Sequence, residues 1–422
     1  MKNIAGIILA AGEGTRMKSA IPKVLHRVAG KPMLEYMLEA FRQLEVKKTI
    51  VVVGHQAQKV KAALKGDRIK ALKQSKLLGS GDAVRLTGSV LANFRGDVLV
   101  VYGDTPLVSY ESLKNLIQSH QATQAACTIL TAVTKNPTGF GRIVRGEDNR
   151  IAMIVEEQDA DTYEKAIGEI NVGAYCFKGK ELFLSLKQIK PDNIKKEYYL
   201  TDTIKVLSKK RAKIESVYAD DEEEALGVNS RCALSQAGAI INKRNIERLS
   251  SGEVTVIDPA TTYIYGEVEV GRDTIIYPHT VIEGKVKIGR GCRIGPFAHL
   301  RPGTILADNV HIGNFVELVR SKVGSGSKIK HHSYIGDTII GKDVNVGAGT
   351  ITANYDGKSK NITFIDDGVS TGVGTILIAP VKIGKYATTG AGSVVTKNKD
   401  VPVGSTVAGV PAKILKKTRK KR

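Results

Sequence analysis

Residues 264–318 read IYGEVEVGRDTIIYPHTVIEGKVKIGRGCRIGPFAHLRPGTILADNVHIGNFVEL, and ten aliphatic side chains recur in them at every sixth position. They are Ile264, Val270, Ile276, Ile282, Ile288, Ile294, Leu300, Leu306, Ile312 and Leu318. A period of six matches neither a helix nor a simple alternating strand. It fits a hexapeptide parallel β-helix, in which three hexads make one triangular coil and each aliphatic residue points into a continuous core. The frame slips by one residue near Val323 and again near Ile340, then resumes at Ile365, Thr371, Leu377, Ile383, Thr389 and Val395. Between Val346 and Ile365 the polar stretch Asn354–Asn361 (NYDGKSKN) breaks it. That break predicts a loop ejected from the coil, a candidate binding element.

Upstream the pattern changes. Ile4–Ala10, Thr49–Val53, Val98–Tyr102 and Thr128–Val133 read as strands, while Met33–Leu44 and Ser112–His120 carry apolar residues at helical spacing. Such alternation predicts a mostly parallel, Rossmann-like α/β sheet that binds ligands beyond the carboxyl ends of its strands. Ser230–Leu249 reads as a helical arm. The expected organisation is an α/β domain over 1–229, a linker helix over 230–252, a left-handed β-helix over 253–412 and a basic tail over 413–422.

The 422 residues carry a net charge of +21, which suggests anionic partners such as nucleic acid, lipid or phosphorylated small molecules. No apolar run reaches the roughly 20 residues needed to span a bilayer, so stable membrane insertion is not expected. The apolar start, Met1 to Ala11, runs into a glycine loop without a basic lead-in and reads as a first strand, not a signal peptide. Cys127, Cys176, Cys232 and Cys292 are too scattered for a disulfide framework or a CxxC zinc site, so a reducing cytoplasm is the simplest setting.

After the first strand come Leu9-Ala10-Ala11-Gly12-Glu13-Gly14-Thr15-Arg16-Met17 and then Pro22-Lys23. Gly12 and Gly14 let backbone N–H groups approach an anion, and Arg16 and Lys23 add charge-assisted contacts to phosphate. Met17 stands where a dinucleotide fingerprint needs a third glycine, and no Gly-Lys-Ser/Thr P-loop is present.

This loop resembles the signature of sugar nucleotidyltransferases. Further motifs narrow the resemblance to the bifunctional N-acetylglucosamine-1-phosphate uridyltransferase/glucosamine-1-phosphate acetyltransferase family. They are Gln74 with Leu78-Gly79-Ser80-Gly81, Tyr102-Gly103-Asp104, the run from Pro137 to Ile143, Glu156, Asn171, the run from Glu197 to Asp202, and Gly227-Val228-Asn229. In the β-helix they are Leu300-Arg301-Pro302-Gly303, Gly313 to Glu317, Gly347 to Thr352 and Asn354-Tyr355-Asp356-Gly357. The resemblance implies a homotrimeric enzyme that acetylates glucosamine 1-phosphate from acetyl-CoA and then transfers a uridylyl group from UTP to N-acetylglucosamine 1-phosphate. It implies catalytic roles for Arg16 and Lys23, and Mg²⁺ held by Asp104 and Asn229. Leu9, Ala10, Ala11, Gly12, Gly14, Gln74, Gly79, Ser80, Tyr102, Gly103, Gly141, Glu156, Asn171 and Asn229 would bind UTP and the sugar. Gln74 would offer a donor and an acceptor to uracil. In the second half His331 would be the general base, and Arg301, Tyr334, Asn345, Ala348, Asn354, Tyr355 and Ala391 would bind glucosamine 1-phosphate or acetyl-CoA.

The departures cluster in that half. Val319 and Arg320 stand where the family usually has two lysines, and Gly372-Val373-Gly374 replaces a Gly-Ser pair. The stretch from Ile288 to Ile294 is short by more than one coil, and Gln158 stands where many relatives have Lys. Two alternatives therefore stay open: a nucleotidyltransferase whose β-helix has altered or lost its acyl transfer, and a non-catalytic assembly or regulatory subunit. Under the enzymatic readings the excess charge serves UTP, sugar phosphates and CoA, and nucleic acid is not an expected partner.

Overall fold

Strand β1 (Ile4–Ala10) is buried along its whole length, because seven consecutive small or apolar residues suit a strand covered on both faces. It pairs in parallel with β2 (Lys48–Val53) on one side and β4 (Asp97–Tyr102) on the other. Strands β3 (Ile69–Lys73), β5 (Cys127–Val133), β8 (Glu169–Lys178) and β9 (Ile214–Tyr218) complete the order β9-β5-β8-β4-β1-β2-β3, with β6 (Arg142–Arg145) and β7 (Ile151–Val155) branching from β8. β8 runs antiparallel to β4 and β5, and the other pairs on the main path are parallel. The computed structural model describes residues 3–415, so most of the basic tail lies outside the described residues. Two compact units divide the chain, Met1–Ile240 and Ile241–Arg422.

The period of two separates the two cores of the first unit. Ile4, Ile8 and Ala10 pack with Leu34, Met37, Leu38 and Phe41 of helix α1 (Met33–Gln43), whereas Ala5, Ile7 and Leu9 pack with Ala83 and Val84 of α2 (Ser80–Leu86) on the opposite face. Gly6 interrupts β1 for a steric reason: a Cβ there would lie 2.2 Å from the Phe41 ring. The strand ends that matter for chemistry, Ala10 of β1 and Tyr102 of β4, emerge side by side, since Leu9 pairs with Tyr102.

In the second unit the sixfold repeat becomes a triangular coil with parallel ladders. Ile264 pairs with Ile282, Ile282 with Leu300 and Leu300 with Leu318, so one coil takes 18 residues. All ten aliphatic positions but Val270 are buried, and Val270 is half-buried against the same core. The two frame slips appear as 17-residue coils, Leu306 to Val323 and Val323 to Ile340. Asn354–Asn361 appears as a 25-residue step, Ile340 to Ile365, after which Ile365 pairs with Ile383 at 18 again. Buried Thr and Ser hydroxyls satisfy backbone carbonyls of neighbouring coils, as in Thr274 Oγ1 to Gly289 O at 2.9 Å and Ser327 Oγ to Gly341 O at 2.8 Å. The open top of the solenoid is closed by the end of helix α3 (Arg231–Ser251). Asn242 donates to Thr262 O and accepts from Ile264 N, both at 2.8 Å, and Ile246 and Leu249 join the core.

Candidate functional site

The cleft at the carboxyl ends of β1 and β4 has a volume of about 620 Å³. Leu9, Ala10, Ala11, Gly12, Gly14, Arg16, Lys23, Gln74, Gly79, Ser80, Tyr102 and Asp104 all line it. Gly103 holds the two strand ends together through its N–H to Leu9 O at 2.8 Å. The loop after β1 is pinned by buried Met17, inside a single 3₁₀ turn whose N-cap, Gly14, has φ of 66°. A side chain at Gly14 would meet both left-handed strain and the Lys23 Cβ, 2.7 Å away.

The charges in this cleft are unevenly spent. Lys23 bridges two oxygens from distant segments: its ammonium pairs with Asp104 and donates to Asn229 Oδ1 at 2.9 Å. Asp104 is in turn tied to the segment carrying Asn229, because Val228 N donates to Asp104 O at 2.8 Å. Arg16 is exposed and forms no hydrogen bond or ion pair among the described residues, so its guanidinium is free for an anion. Gln74 differs from the sequence expectation. Its amide nitrogen already donates to Gly79 O at 3.1 Å and to Asp82 Oδ2 at 2.9 Å, which leaves it an acceptor.

Gly141, Glu156 and Asn171 converge beside Tyr102. A Cβ on Gly141 would stand 3.4 Å from Glu156 Oε2 and 3.6 Å from the Asn171 Cβ, and Asn171 N donates to Gly141 O at 2.9 Å. Asn171 is held by its amide on the Tyr175 hydroxyl at 2.6 Å, and Glu156 by the Thr201 hydroxyl at 3.0 Å. Burial pushes the Glu156 carboxyl above the ordinary range, against the Thr201 hydrogen bond. Burial, with the charges of Glu156 and Asp104, also raises Tyr102, while a hydrogen bond from Ser80 opposes the rise.

Several participants were given no role by the sequence, although Arg142 and Glu197 lie inside the quoted runs. Arg142 is fully buried and pairs with Glu157 at 2.7 Å, and Glu157 accepts from Gly139 N at 2.9 Å. This pair clamps the loop that delivers Gly141. Lys195 and Glu197 line the cleft as well.

In the β-helix, Arg301, Glu317 and Tyr334 form one group: Glu317 pairs with Tyr334 across the ladder, and Arg301 Nη1 donates to Glu317 at 2.8 Å. His331 is the ladder neighbour of Asn314, whose Oδ1 lies 3.4 Å from its Nδ1. Ala348 and Ala391 fall on a corner column that runs through successive coils. Gly349 N donates to His332 O at 2.9 Å, Gly374 N to Ala348 O at 2.7 Å, and Gly392 N to Val373 O at 2.7 Å. Asn345 is an exposed position on the same coil as Ala348, and Tyr355 is exposed at the start of the ejected loop. Asn354 pairs with Asp337, which also accepts from Arg320 Nε and Nη2 at 2.6 and 2.8 Å. Arg320 is therefore committed to a carboxylate, and its neighbour Val319 is buried.

Comparison with known proteins agrees with both halves. Residues 6–170 match the MobA-like NTP transferase domain, and residues 285–320 match the bacterial transferase hexapeptide repeat. The chain is 44% identical to the Bifunctional protein GlmU of Shouchella clausii over 94% of each chain. It is 46% identical to that of Lactococcus lactis subsp. cremoris MG1363, over 95% of this chain and 94% of the relative. The corresponding Geobacillus protein is also 46% identical, over 94% and 93%. With a nucleotidyltransferase half and a hexapeptide half in this order, and relatives matched over nearly their full length, the chain belongs to the bifunctional GlmU family.

Proposed function

We propose that the protein makes UDP-N-acetylglucosamine in two steps: acetyl transfer from acetyl-CoA to glucosamine 1-phosphate, then uridylyl transfer from UTP to N-acetylglucosamine 1-phosphate. The observation that carries the second step is the meeting of Lys23, Asp104 and Asn229 beside free Arg16, at the ends of β1 and β4. A phosphate oxygen of the sugar attacks the α-phosphorus of UTP, the bond to the bridging oxygen breaks, and pyrophosphate leaves. Positioning and charge neutralisation supply most of the catalysis in such transfers. Arg16 takes the charge developing on the triphosphate, and Lys23 holds a phosphate. Gly141, Glu156 and Asn171 orient the sugar.

Asp104 and Asn229 fit Mg²⁺, because their oxygens already share one cation and a hard ion can fill its remaining positions from water and phosphate. When bound, Mg²⁺ neutralises phosphate oxygens. Asp104 and Asn229 would hold the ion, and the Lys23 ammonium that they now bind would be left to the substrate phosphates.

In the β-helix, His331 is the general base for the amine. Asn314 accepts from its Nδ1–H, so Nε2 keeps the lone pair. Arg301 and Tyr334, with Asn345, Asn354 and Tyr355, bind the sugar phosphate. The corner column through Ala348 and Ala391 faces CoA. A homotrimer belongs to the same reading: the stacked rings of Phe297 and Phe315, 46% and 57% exposed with centroids 5.2 Å apart, leave apolar surface for a neighbouring copy to cover. No helix among the described residues is long and apolar enough to cross a membrane. Unpaired cysteines and the cosubstrates UTP and acetyl-CoA support a cytoplasmic setting.

One observation favours a second reading, a uridylyltransferase whose β-helix takes another acceptor: Val319 is buried and Arg320 is taken by Asp337. The deciding assay follows pyrophosphate from UTP and N-acetylglucosamine 1-phosphate beside thiol from acetyl-CoA and glucosamine 1-phosphate. Both products support the two-step reading, pyrophosphate alone supports the second, and neither product refutes both.

A further inference from the structure

The geometry points to Asp82 as the residue that makes the cleft choose uracil over cytosine, acting through Gln74; the inference rests on the uridylyl reading above. Gln74 is 4% exposed and lines the cleft between β1 and α2. A glutamine amide has two faces, a donor NH₂ and an acceptor oxygen, and can present either by rotating half a turn. Here it cannot rotate freely. Its nitrogen faces the Gly79 carbonyl at 3.1 Å and the Asp82 carboxylate at 2.9 Å, two groups that only accept. The amide oxygen is left over and accepts no hydrogen bond among the described residues.

Asp82 is itself fixed. It is buried on α2, and its second oxygen takes Arg85 Nη2 at 2.5 Å. The Arg85 guanidinium also lies 5.0 Å from the Tyr198 ring centre, while Tyr198 O accepts from Gly81 N at 2.8 Å. The carboxylate is thus held from the helix and from the facing loop. Gln74 then offers an acceptor in one sense only. Uracil carries a proton on N3 and satisfies it; cytosine brings a lone pair to the same place and leaves two acceptors opposed. Asp82 does not need to touch the base, so it is a positioning residue. Asparagine at 82 has the same shape but offers a donor as well as an acceptor, so it no longer forbids the turned amide.

The test uses the full chain with N-acetylglucosamine 1-phosphate and either UTP or CTP, and reads the ratio of their kcat/KM values from pyrophosphate release. Asp82→Asn is expected to lower that ratio at least about ten-fold, by a gain on CTP and a higher KM for UTP, with the sugar-phosphate KM unchanged. Arg85→Gln, a change at an exposed side chain, is expected to lower it about three-fold by loosening the carboxylate. Circular dichroism establishes that each variant is folded, and if Asp82→Asn is not, the Arg85 variant decides. A ratio unchanged in the folded variants, or equal losses on both nucleotides, overturns the inference while a UTP-selective wild type leaves the uridylyl reading standing. A wild type that releases no pyrophosphate from UTP refutes that reading, and the inference with it.

Discussion

Lys23→Ala should tighten divalent-metal binding to the nucleotide-free protein, although it removes a residue proposed to serve catalysis. The Lys23 ammonium sits on Asp104 and 2.9 Å from Asn229 Oδ1, with side chains only 13% and 17% exposed for the lysine and the aspartate. A divalent ion reaching those oxygens must first displace it. Hydrogen bonds to charged groups contribute about 1.5–3 kcal/mol in such partly buried settings, and this opposes the metal. At 1.4 kcal/mol per tenfold, removing the competitor should tighten apparent affinity by about 10- to 100-fold. Mn²⁺ titration followed by electron paramagnetic resonance, without nucleotide, reads this directly. With UTP and sugar phosphate present, the same variant should lose about 10²–10³ in kcat, because no ammonium remains for the phosphates. Asp104→Ala should weaken the metal, and Lys23→Ala added to it should restore nothing. Metal affinity that is unchanged or weaker in Lys23→Ala would show that the ammonium and the metal do not compete for these oxygens.

Three further outcomes separate the parts. His331→Ala should abolish thiol release and leave pyrophosphate release intact, and Asp104→Ala should do the reverse; loss of both activities in either folded variant contradicts two independent sites. The buried Glu156 carboxyl has a raised pKa, so the folded chain binds that proton more tightly than the unfolded one, and the stability it contributes falls as pH rises through that pKa. Glu156→Gln should therefore melt higher than wild type at pH about 7, with the gap closing toward pH about 4, while the sugar-phosphate KM rises about ten-fold. Asp337 is the opposite case: the Arg320 hydrogen bonds depress it, so its stabilisation is present above the unfolded pKa and is lost as pH falls through the folded one. Asp337→Asn should cost under about 1 kcal/mol at neutral pH, since Arg320 is partly exposed, and calorimetry should find the difference vanishing in strong acid.

The solenoid was legible because a β-helix writes the same instruction every six residues, and each aliphatic position has the same fate. Even its defects could be read: the slips at Val323 and Ile340 are the 17-residue coils, and Asn354–Asn361 is the 25-residue step. The glycine loop was legible as well, since Gly12, Gly14, Arg16 and Lys23 are close in sequence and line one cleft. What remained hidden depends on distant partners. Lys23 and Asn229 are 206 residues apart, and no local pattern announces that they touch. Gln74 reads equally well as donor or acceptor until Asp82 is placed behind it. Arg142 lies in the run from Pro137 to Ile143, but nothing local shows that it is buried with its charge on Glu157.

The 18-residue coil also sets a unit in which this chain can change length. Each coil pairs only with the one before and the one after, so removing a whole coil brings like against like: the strands at Ile282 and Leu318 each present an inward aliphatic residue and the same edge. Removing part of a coil turns later side chains to another face unless a corner takes up the difference, as it does for the single residue missing from each 17-residue coil between Leu306 and Ile340. Surplus residues must instead leave the wall altogether, as Asn354–Asn361 do, and the ladder closes behind them at Ile365 and Ile383 as though nothing had been added. Descent can therefore shorten or lengthen this half in whole storeys, or hang balconies from it, while the α/β half keeps its own count.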